Sequence, residues 1–389
     1  MPRPNRRWRR WLIALGVLLA LPLACAISLR TDAGKRVTAR MIRETLGPPE
    51  PLEADLRDDD EWVDPRVPLH ALAHTYPTEP TPTRLHAGEA DATPAPEPPN
   101  KPRGLRNVSF VLLLGMDNRT DKVTGRTDAM VIAAFRHGDG KVGAFSVPRD
   151  MWIDDPELGP MRISSAVRVA DTRLGAGTGI PFLRRVIKRE FGIRIDRYAA
   201  VDLAGFVDVV DHVGGVDVDV QCPIVDCLRM GTGESCEMLE LEAGRQRMDG
   251  RTALKFSRSR HGRGDLDRRR RQQEVLIAFA RAVRKQGLGD MKQLWDTVEP
   301  FIETDLDWKA AAYYGSFAIE TDLGDLHGFS IAKDMVSRHV TDKNQHVVLV
   351  DHDRFDGALA RMFDEKLPAL RERKACPDAD AAYQARARR

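Results

Sequence analysis

The chain has 389 residues, of which 42% are hydrophobic and 30% are charged, so a fully disordered chain and a polytopic membrane protein are both excluded. Its 60 Lys and Arg residues nearly balance 58 Asp and Glu residues, and the net charge of +2 indicates nothing about partners. The charges are clustered, however, because nine Lys and Arg residues lie between positions 251 and 271, against two aspartates.

The N-terminus has the pattern of a membrane anchor. Five arginines in residues 1–10 precede the uncharged segment Trp11–Leu29, which would span about 28 Å as a helix. Because cationic flanks stay in the cytoplasm, we expect a single-pass protein of the cell membrane, with residues 1–10 cytoplasmic and the catalytic domain extracytoplasmic. A buried core helix and a cleaved signal peptide, lipid-modified at Cys25 or not, are the alternatives.

Residues 30–102 are predicted to form a juxtamembrane segment and a proline-rich, acidic linker. Thr31–Leu46 is expected to continue as a helix above the membrane. The stretch from Gly47 to Pro102 holds 13 of the 24 prolines and the acidic run Asp58–Glu61. Such a stretch cannot bury enough apolar surface to fold alone, so we expect a semi-extended spacer that lifts the following domain away from the membrane.

One globular domain is predicted over residues 103–372, followed by a C-terminal tail over 373–389. Its strands and helices alternate, which is typical of an α/β fold with a mixed central sheet flanked by helices. The predicted strands are Val108–Leu114, Ala129–Phe135, Val142–Val147, Tyr198–Val201, Val216–Val220, Phe329–Ile331 and His346–Leu349. The predicted helices are Gly179–Phe191, Leu203–His212, Arg251–Ser257 and Asp267–Arg284. The first strand is expected to be buried on both faces, and a turn at His137–Gly140 is expected to join the second and third strands.

Four cysteines lie in the part that is predicted to be exported: Cys222, Cys227, Cys236 and Cys376. An even number of cysteines in an oxidising compartment predicts disulfide bonds, and the sequence leaves three pairings open. Cys222 and Cys227 are close enough to close one loop. Zinc ligation is the alternative, but no histidine stands near these cysteines.

Two aspartates stand next to predicted strands, where α/β folds place ligands. Asp117 follows the first strand, and Asp128 precedes the second. Two carboxylates in this position could hold one Mg²⁺ ion through oxygen ligands. The alternative is that both aspartates form turns, which for Asp117 alone is the favoured interpretation.

Helical geometry makes the arginine-rich segment informative. Arg268, Gln272, Val275 and Phe279 follow one another at steps of four, three and four residues, so they share one face of a helix. Valine and phenylalanine mark this face as buried, and a buried arginine needs an anion. A phosphate at the helix N-terminus would satisfy it. A solvated basic face, or a patch for nucleic acid or anionic lipid, is favoured for the next two arginines, and the predicted export argues against nucleic acid.

Eight short motifs follow one another along residues 107–286. They are Gly115-x-Asp117-x-Arg119, Gly125-Arg-Thr-Asp128, Val147-Pro-Arg149-Asp150, Val201-Asp-Leu-x-Gly-Phe206, Asp211-x-x-Gly-Gly-Val216, Asp249-Gly-x-x-Ala-Leu254, Arg258-x-Arg260 and Arg268-x-x-Arg271-Gln-Gln273. Each motif is weak alone. In this order, on a chain with an N-terminal anchor, they resemble the LytR-CpsA-Psr family of cell-wall ligases.

The resemblance implies a mixed-sheet α/β fold with an apolar tunnel for a polyprenyl chain. It implies an Mg²⁺-dependent phosphotransferase, with Mn²⁺ as a possible substitute, that moves a glycopolymer from a polyprenyl-pyrophosphate carrier onto a peptidoglycan hydroxyl at the membrane. By motif, the candidate catalytic residues are Asp117, Asp128, Arg149 and Arg268, and the two aspartates would also hold the metal. The candidate substrate-binding residues are Arg126, Arg258, Arg260, Arg271 and Gln272.

The physical logic of the residues agrees with this implied reaction. Arginines and a metal ion would stabilise the charge on the leaving phosphate, and either Asp117 or Asp128 could accept the proton of the attacking hydroxyl. Three alternatives stay open: a lipid-pyrophosphate hydrolase, a non-catalytic anchored binder of anionic wall polymer or lipid phosphate, and a transcription regulator. The predicted export opposes the last of these, and no nucleic-acid partner is expected.

Overall fold

The computed structural model describes residues 32–49, 105, 107–117, 125–230, 236–260, 265–286, 291–321, 327–328, 331, 335–364 and 376. The predicted anchor at 11–29, most of the proline-rich linker and most of the C-terminal tail lie outside these ranges and stay predictions. None of the helices within these ranges combines the length and the hydropathy that a bilayer crossing requires.

The predicted mixed α/β class is confirmed by the order of the elements. The strands are β1 (Val108–Asp117), β2 (Arg126–Arg136), β3 (Val142–Ser146), β4 (Trp152–Asp155), β5 (Gly159–Arg162), β6 (Arg197–Asp202), β7 (Val216–Val220), β8 (Ile224–Leu228), β9 (Glu237–Leu241), β10 (Gly244–Met248), β11 (Glu303–Thr304), β12 (His327–Gly328), β13 (Val336–Val340) and β14 (His346–Val350). The helices are α1 (Asp32–Leu46), α2 (Ala166–Arg173), α3 (Gly179–Phe191), α4 (Leu203–His212), α5 (Gly250–Arg258), α6 (Asp265–Gln286), α7 (Met291–Val298), α8 (Trp308–Glu320) and α9 (His352–Ala360).

The central sheet has six strands in the order β11-β6-β1-β2-β3-β12. Strand β1 pairs antiparallel with β2 and parallel with β6, which makes the sheet mixed. Both faces of β1 are covered, since Leu112 belongs to the apolar cluster on one face and Val111 to the cluster on the other. The expected β2–β3 hairpin is present, and Gly140 in its turn has a φ of +72°, which favours glycine.

Phe329 and Ser330, two of the three residues of the strand predicted at 329–331, lie outside the described residues. Strand β12 lies at His327–Gly328 and pairs in parallel with β3 at the edge of the sheet, whereas Ile331 lies outside any strand and is buried. Four further two-stranded sheets, β4–β5, β7–β10, β8–β9 and β13–β14, surround the central one in the described part of the chain.

Helix α1 confirms the helix predicted at Thr31–Leu46, and it packs against α8. The Arg43 guanidinium lies 2.5 Å from the carboxylate of Glu320 and 4.6 Å from the centre of the Phe317 ring. Arg40 pairs with the same glutamate at 3.4 Å, and Ala39 of the interface is fully buried. The helix that the sequence analysis placed between the membrane and the linker is therefore part of the folded body.

The two disulfide bonds join Cys222 to Cys376 and Cys227 to Cys236, with Cα atoms 5.4 Å apart in each pair. The short loop that Cys222 and Cys227 could have closed is not formed. All four thiols are used in these bonds, so none of them is left for the zinc alternative. The first bond attaches the predicted C-terminal tail to the segment that follows β7.

A second apolar cluster holds three helices together beside the central sheet. It combines Val210 of α4, Phe256 of α5 and Val275 of α6 with Val218 of β7. All four side chains are at most 3% exposed. This cluster fixes α4, α5 and α6 next to β1 and β6, and the candidate site lies in the space between them.

Candidate functional site

A cavity of about 940 Å³ lies between the central sheet and helices α4, α5 and α6. Its floor consists of small and aliphatic residues from three neighbouring strands, which are Leu113, Gly115, Ala129, Val131, Ala199 and Val201. The helices contribute mainly apolar side chains, which are Leu203, Phe206, Val209, Leu254, Val275, Leu276 and Phe279. A Cβ atom on Gly115 would lie 3.1 Å from the Cβ of Ala129, so a glycine here lets the strands approach closely and keeps the floor open. The volume is at the upper end of ligand sites.

The face of α6 predicted to point inward does so. Arg268, Gln272, Val275 and Phe279 all line the cavity, and Arg268 is only 4% exposed. From the beginning of α6 towards its middle, the lining thus changes from charged to apolar. Along β1 the lining changes from apolar to charged, since Leu113 lies in the apolar part and Asp117 lies at the end of the strand. The cavity is therefore amphiphilic along its length.

The next arginine of α6 that the structure describes points elsewhere. The Nε atom of Arg270 lies 3.0 Å from Oε1 of Glu274, outside the cavity. Burial raises the pKa of the Glu274 carboxyl, and the positive charge of Arg270 opposes this shift. The side chain of Arg269 lies outside the described residues.

A β-bulge in β2 places Asp128 in the cavity. Gly115 pairs with Ala129, and the next residue of β1, Met116, pairs with Thr127, so Asp128 is the extra residue. Thr127 is fully buried, and its hydroxyl lies 3.4 Å from the carbonyl oxygen of Ser164. Bulges re-aim side chains in this way next to functional sites.

Asp128 forms an ion pair with Arg149 at the cavity wall. Nη1 of Arg149 donates to Oδ1 of Asp128 at 2.9 Å, and both side chains are about a quarter exposed. Arg149 follows the end of β3, and its Nε atom also lies 3.7 Å from Asp150. The pair therefore joins the end of β3 to the start of β2 and presents one cation and one anion to a ligand.

Asp117 lies beside a second arginine of the cavity. Its Oδ2 atom is 3.9 Å from Nη2 of Arg258, the last residue of α5, and both side chains are less than a fifth exposed. Nη1 of Arg258 also lies 3.8 Å from the sulfur of Met230. Two carboxylate–arginine pairs thus stand at the charged part of the cavity, one from each of the adjacent strands β1 and β2.

Asp117 and Asp128 are the side chains that could hold a divalent metal ion. Within the described ranges, no group of three or more His, Cys, Asp or Glu side chains is arranged for metal binding. Mg²⁺ usually takes only one or two protein carboxylates and completes its coordination with water and substrate phosphate oxygens. A pair of aspartates lining a cavity rich in arginine therefore fits Mg²⁺ as a donor set.

Of the residues predicted for the site, eight line this one cavity: Asp117, Arg126, Asp128, Arg149, Arg258, Arg260, Arg268 and Gln272. Arg271 does not. Its Nη2 and Nε atoms lie 2.7 and 3.3 Å from the carbonyl oxygen of Ser259, and the side chain is buried between α5 and α6. The predicted substrate-binding role of Arg271 thus has no support from its position.

Two cavity arginines were missed in the sequence. Arg168 on α2 and Arg229 after β8 are exposed and line the cavity. No periodicity or spacing links them to the motifs, because they come from elements that only the fold brings together. Asp202 also lines the cavity, but its carboxylate caps α4 by accepting the N–H of Gly205 at 2.8 Å.

Comparison with known proteins agrees with this architecture. The sequence model of the LytR_cpsA_psr family matches residues 90–359. The chain is 30% identical over 201 residues to the polyisoprenyl-teichoic acid–peptidoglycan teichoic acid transferase TagU of Oceanobacillus iheyensis. The aligned region covers 51% of this chain and 58% of that protein. It is 28% identical over 225 residues to the cell wall biosynthesis protein LcpA of Corynebacterium glutamicum, with 51% of this chain and 42% of that protein covered. The chain thus spans about half the length of the curated relatives it matches.

Among solved structures, the crystal structure of B. subtilis TagV is similar to this fold, with a TM-score of 0.55 and 19% identity. The superposition covers 67% of this chain and 98% of TagV. At this identity the likeness supports the fold alone. Because the family match extends over more than half of the 389 residues, the chain belongs to the LytR_cpsA_psr family.

Proposed function

We propose that the protein is a phosphotransferase that moves a glycopolymer from a polyprenyl-pyrophosphate carrier onto a hydroxyl group of peptidoglycan. The observation that carries this proposal is the amphiphilic cavity, in which seven arginines and the carboxylates of Asp117 and Asp128 adjoin an apolar space. A ligand that fits it has an anionic headgroup and a long hydrocarbon tail. The names of TagU and LcpA, which refer to teichoic acid transfer and to cell wall biosynthesis, agree with this substrate class.

The apolar part of the cavity favours a lipid carrier over a free nucleotide. Its floor has alanine and glycine where larger residues would fill the space, and Phe206 and Phe279 cover it from the helices. Each methylene group that leaves water contributes about 0.8 kcal/mol to binding. A prenyl chain of several units is therefore held mainly by this surface, and the arginines fix where its pyrophosphate lies.

In the proposed reaction, the oxygen of the acceptor hydroxyl forms a bond to the phosphorus that carries the glycopolymer. The anhydride P–O bond breaks, and polyprenyl monophosphate leaves with the bond's electron pair. The hydroxyl proton passes to the carboxylate of Asp117 or Asp128, both of which line the cavity. Arg149, Arg258 and Arg268 stabilise the negative charge that grows on the leaving phosphate, and each charge-assisted hydrogen bond contributes about 1.5–3 kcal/mol.

We include Mg²⁺, with Mn²⁺ as a substitute, as the cofactor of this site. Asp117 and Asp128 would hold it. When bound, a divalent ion neutralises pyrophosphate charge and makes the phosphorus more electrophilic. The arginine partners of both aspartates would then be free to turn towards the phosphate oxygens, which is why the pairs at 2.9 and 3.9 Å are compatible with metal binding.

We also propose that the domain lies on the outer side of the cell membrane and is anchored by residues 11–29. The charge pattern of the N-terminus supports this orientation. The two disulfide bonds support it independently, because such bonds persist in oxidising compartments. No nucleic-acid partner is proposed, since Arg258, Arg260 and Arg268 face a cavity and not an open surface.

The test uses the full chain in lipid nanodiscs with Mg²⁺ and a short synthetic polyprenyl-pyrophosphoryl sugar. Release of polyprenyl monophosphate is followed with and without peptidoglycan, for the wild type, for Arg268→Ala and for Arg281→Ala, which removes an exposed arginine of the same helix. Acceptor-dependent release that is lost only in Arg268→Ala supports the transferase. Release without acceptor indicates a hydrolase instead, and Arg268-dependent binding without turnover indicates a non-catalytic binder.

A further inference from the structure

A buried group of three side chains lies directly behind the charged part of the cavity. It consists of Asp226 on β8, Ser259 after α5 and Arg271 on α6, which are 2%, 0% and 6% exposed. None of the three lines the cavity, but Arg258 and Arg260, the neighbours of Ser259, both do. We call this group the clamp.

The clamp holds the Ser259 segment through two side chains. Oδ2 of Asp226 accepts hydrogen bonds from the hydroxyl of Ser259 at 2.7 Å and from the backbone N–H of Arg260 at 3.2 Å. In addition, Nη2 of Arg271 donates to the carbonyl oxygen of Ser259 at 2.7 Å. The side chain of Ser259 is thus held by the carboxylate of Asp226, and its backbone carbonyl is held by the guanidinium of Arg271.

The position of Asp226 is itself constrained. Its Oδ1 atom accepts the backbone N–H of Cys227 at 3.0 Å, and Cys227 is bonded to Cys236 across the β8–β9 hairpin. Burying a carboxylate destabilises the folded state unless its oxygens accept hydrogen bonds. The loss of any one donor to Asp226 would therefore destabilise the fold. The paired strands β8 and β9 therefore hold Asp226 where it reaches the residues that follow α5.

We infer that the clamp is a positioning device: Asp226, through Ser259 and the backbone of Arg260, sets the direction in which Arg258 and Arg260 point into the cavity. This inference rests on the proposed function, because it assigns the two arginines to the pyrophosphate of the substrate. Arg271 belongs to this device and does not bind substrate. Misplacement of a positioned group by about 1 Å can cost a reaction about 100-fold, so support of this kind has a measurable effect.

The first test compares Asp226→Asn and Ser259→Ala with a matched control, Asp155→Asn. Asp155 is also a buried carboxylate; it accepts the backbone N–H groups of Glu157 and Leu158 and pairs with Arg189 at 2.8 Å, but it does not line the cavity. We expect the two clamp variants to lose about 10- to 100-fold in kcat/KM, while the control loses stability but less than about twofold in kcat/KM. If Asp226→Asn does not fold, Ser259→Ala, which removes only one oxygen atom, decides the question.

A double-mutant cycle separates positioning from general destabilisation. In the Arg260→Ala background, one of the two arginines that Asp226 orients is already missing. We therefore expect Asp226→Asn to cost less there than in the wild type, and Asp155→Asn to cost the same in both. Equal losses in both backgrounds, or wild-type activity of Asp226→Asn and Ser259→Ala, would overturn the inference.

A binding measurement tests this inference separately from the proposed function. If the wild type turns over no lipid-linked sugar, the proposed function fails, and the affinity for a short polyprenyl pyrophosphate is measured instead. A loss of about tenfold in Asp226→Asn but not in Asp155→Asn then supports the clamp. Equal affinities of the wild type and Asp226→Asn overturn it.

Discussion

Asp128 and Ala129 are neighbours in the chain, and yet both of their side chains line the same cavity. Successive residues of a regular strand face opposite sides, so this arrangement depends on the bulge between the Gly115–Ala129 and Met116–Thr127 pairs. The bulge adds a carboxylate to a floor that would otherwise carry only small apolar groups at this point.

The first prediction concerns that carboxylate. Asp128→Asn keeps the shape of the side chain but removes its charge, so it can no longer accept a proton or balance Arg149. We expect kcat to fall by at least about 100-fold, with little change in thermal stability because the side chain is 29% exposed. The measurement is polyprenyl monophosphate release at saturating substrate, together with a thermal unfolding curve.

The control for this variant is Asp139→Asn. Asp139 pairs with Arg136 at 2.6 Å in the same hairpin as Asp128, but far from the cavity end of β2. We expect its activity to stay within about twofold of the wild type, as is usual for an exposed ion pair. Comparable losses in both aspartate variants would mean that the charge of Asp128 has no special role.

The second prediction concerns the length of the carrier lipid. Ala199 pairs with Leu113 across the floor of the cavity, and Ala199→Leu would fill space there without adding a polar group. We expect KM for a long-chain carrier to rise by about tenfold or more, and KM for a short-chain carrier to change less than about twofold. Equal effects on both carriers would show that the lipid does not reach this part of the cavity. The same enzyme preparation with two substrates serves as its own control.

The third prediction is a pH dependence of stability that arises from His137. Its ring nitrogens lie 2.8 Å from the hydroxyl of Ser109 and 2.5 Å from that of Tyr313, and burial together with the nearby charge of Arg43 holds its pKa below 6.5. Because the unfolded chain then binds the proton more readily, the contribution of His137 is complete above pH 6.5 and falls as the pH drops towards the folded value.

The slope that a single proton can cause is at most about 1.4 kcal/mol per pH unit. We expect the unfolding temperature of the wild type to fall more steeply between about pH 7 and pH 5 than that of His137→Gln, which does not titrate. Parallel profiles for the two proteins would remove His137 as the cause. A second readout is the pH at which the His137 ring proton signals shift in the folded protein.

The fourth prediction concerns the disulfide bond between Cys222 and Cys376, which are 154 residues apart in the sequence. A bond that closes a long loop stabilises a fold mainly by restricting the unfolded chain, typically by about 2–4 kcal/mol. We expect the Cys222→Ser, Cys376→Ser double variant to lose stability in this range in denaturant unfolding. Its activity at low temperature should be retained, because neither cysteine lines the cavity. Mild reduction of the wild type, which also opens the bond between Cys227 and Cys236, should cause at least this loss.

The local parts of the site could be predicted from the sequence. The inward face of α6 follows from the spacing of Arg268, Gln272, Val275 and Phe279, because a helical period is visible in any sequence window. The strand-end position of Asp117 is visible because the apolar run Val108–Leu114 ends shortly before it. What the sequence could not show is the bulge at Asp128, since it depends on the register between two strands.

Arg271 illustrates the limit of motif-based prediction. It stands in the same short motif as Arg268, and nothing local separates a residue that faces the cavity from one that is buried behind it. The difference arises only when α5 packs on α6 and the carbonyl of Ser259 meets the guanidinium. Arg168 and Arg229 were missed for the complementary reason, because distant segments meet at the cavity only in the folded chain.

The packing of α1 on α8 changes what the proline-rich segment can do. The segment leaves the folded body after α1, near residue 49, and the chain returns to it at Leu105, which is 2% exposed. Both ends of this segment therefore lie on one folded body. Its length does not set the distance between α1 and the cavity, because the contacts of α1 with α8 fix that distance.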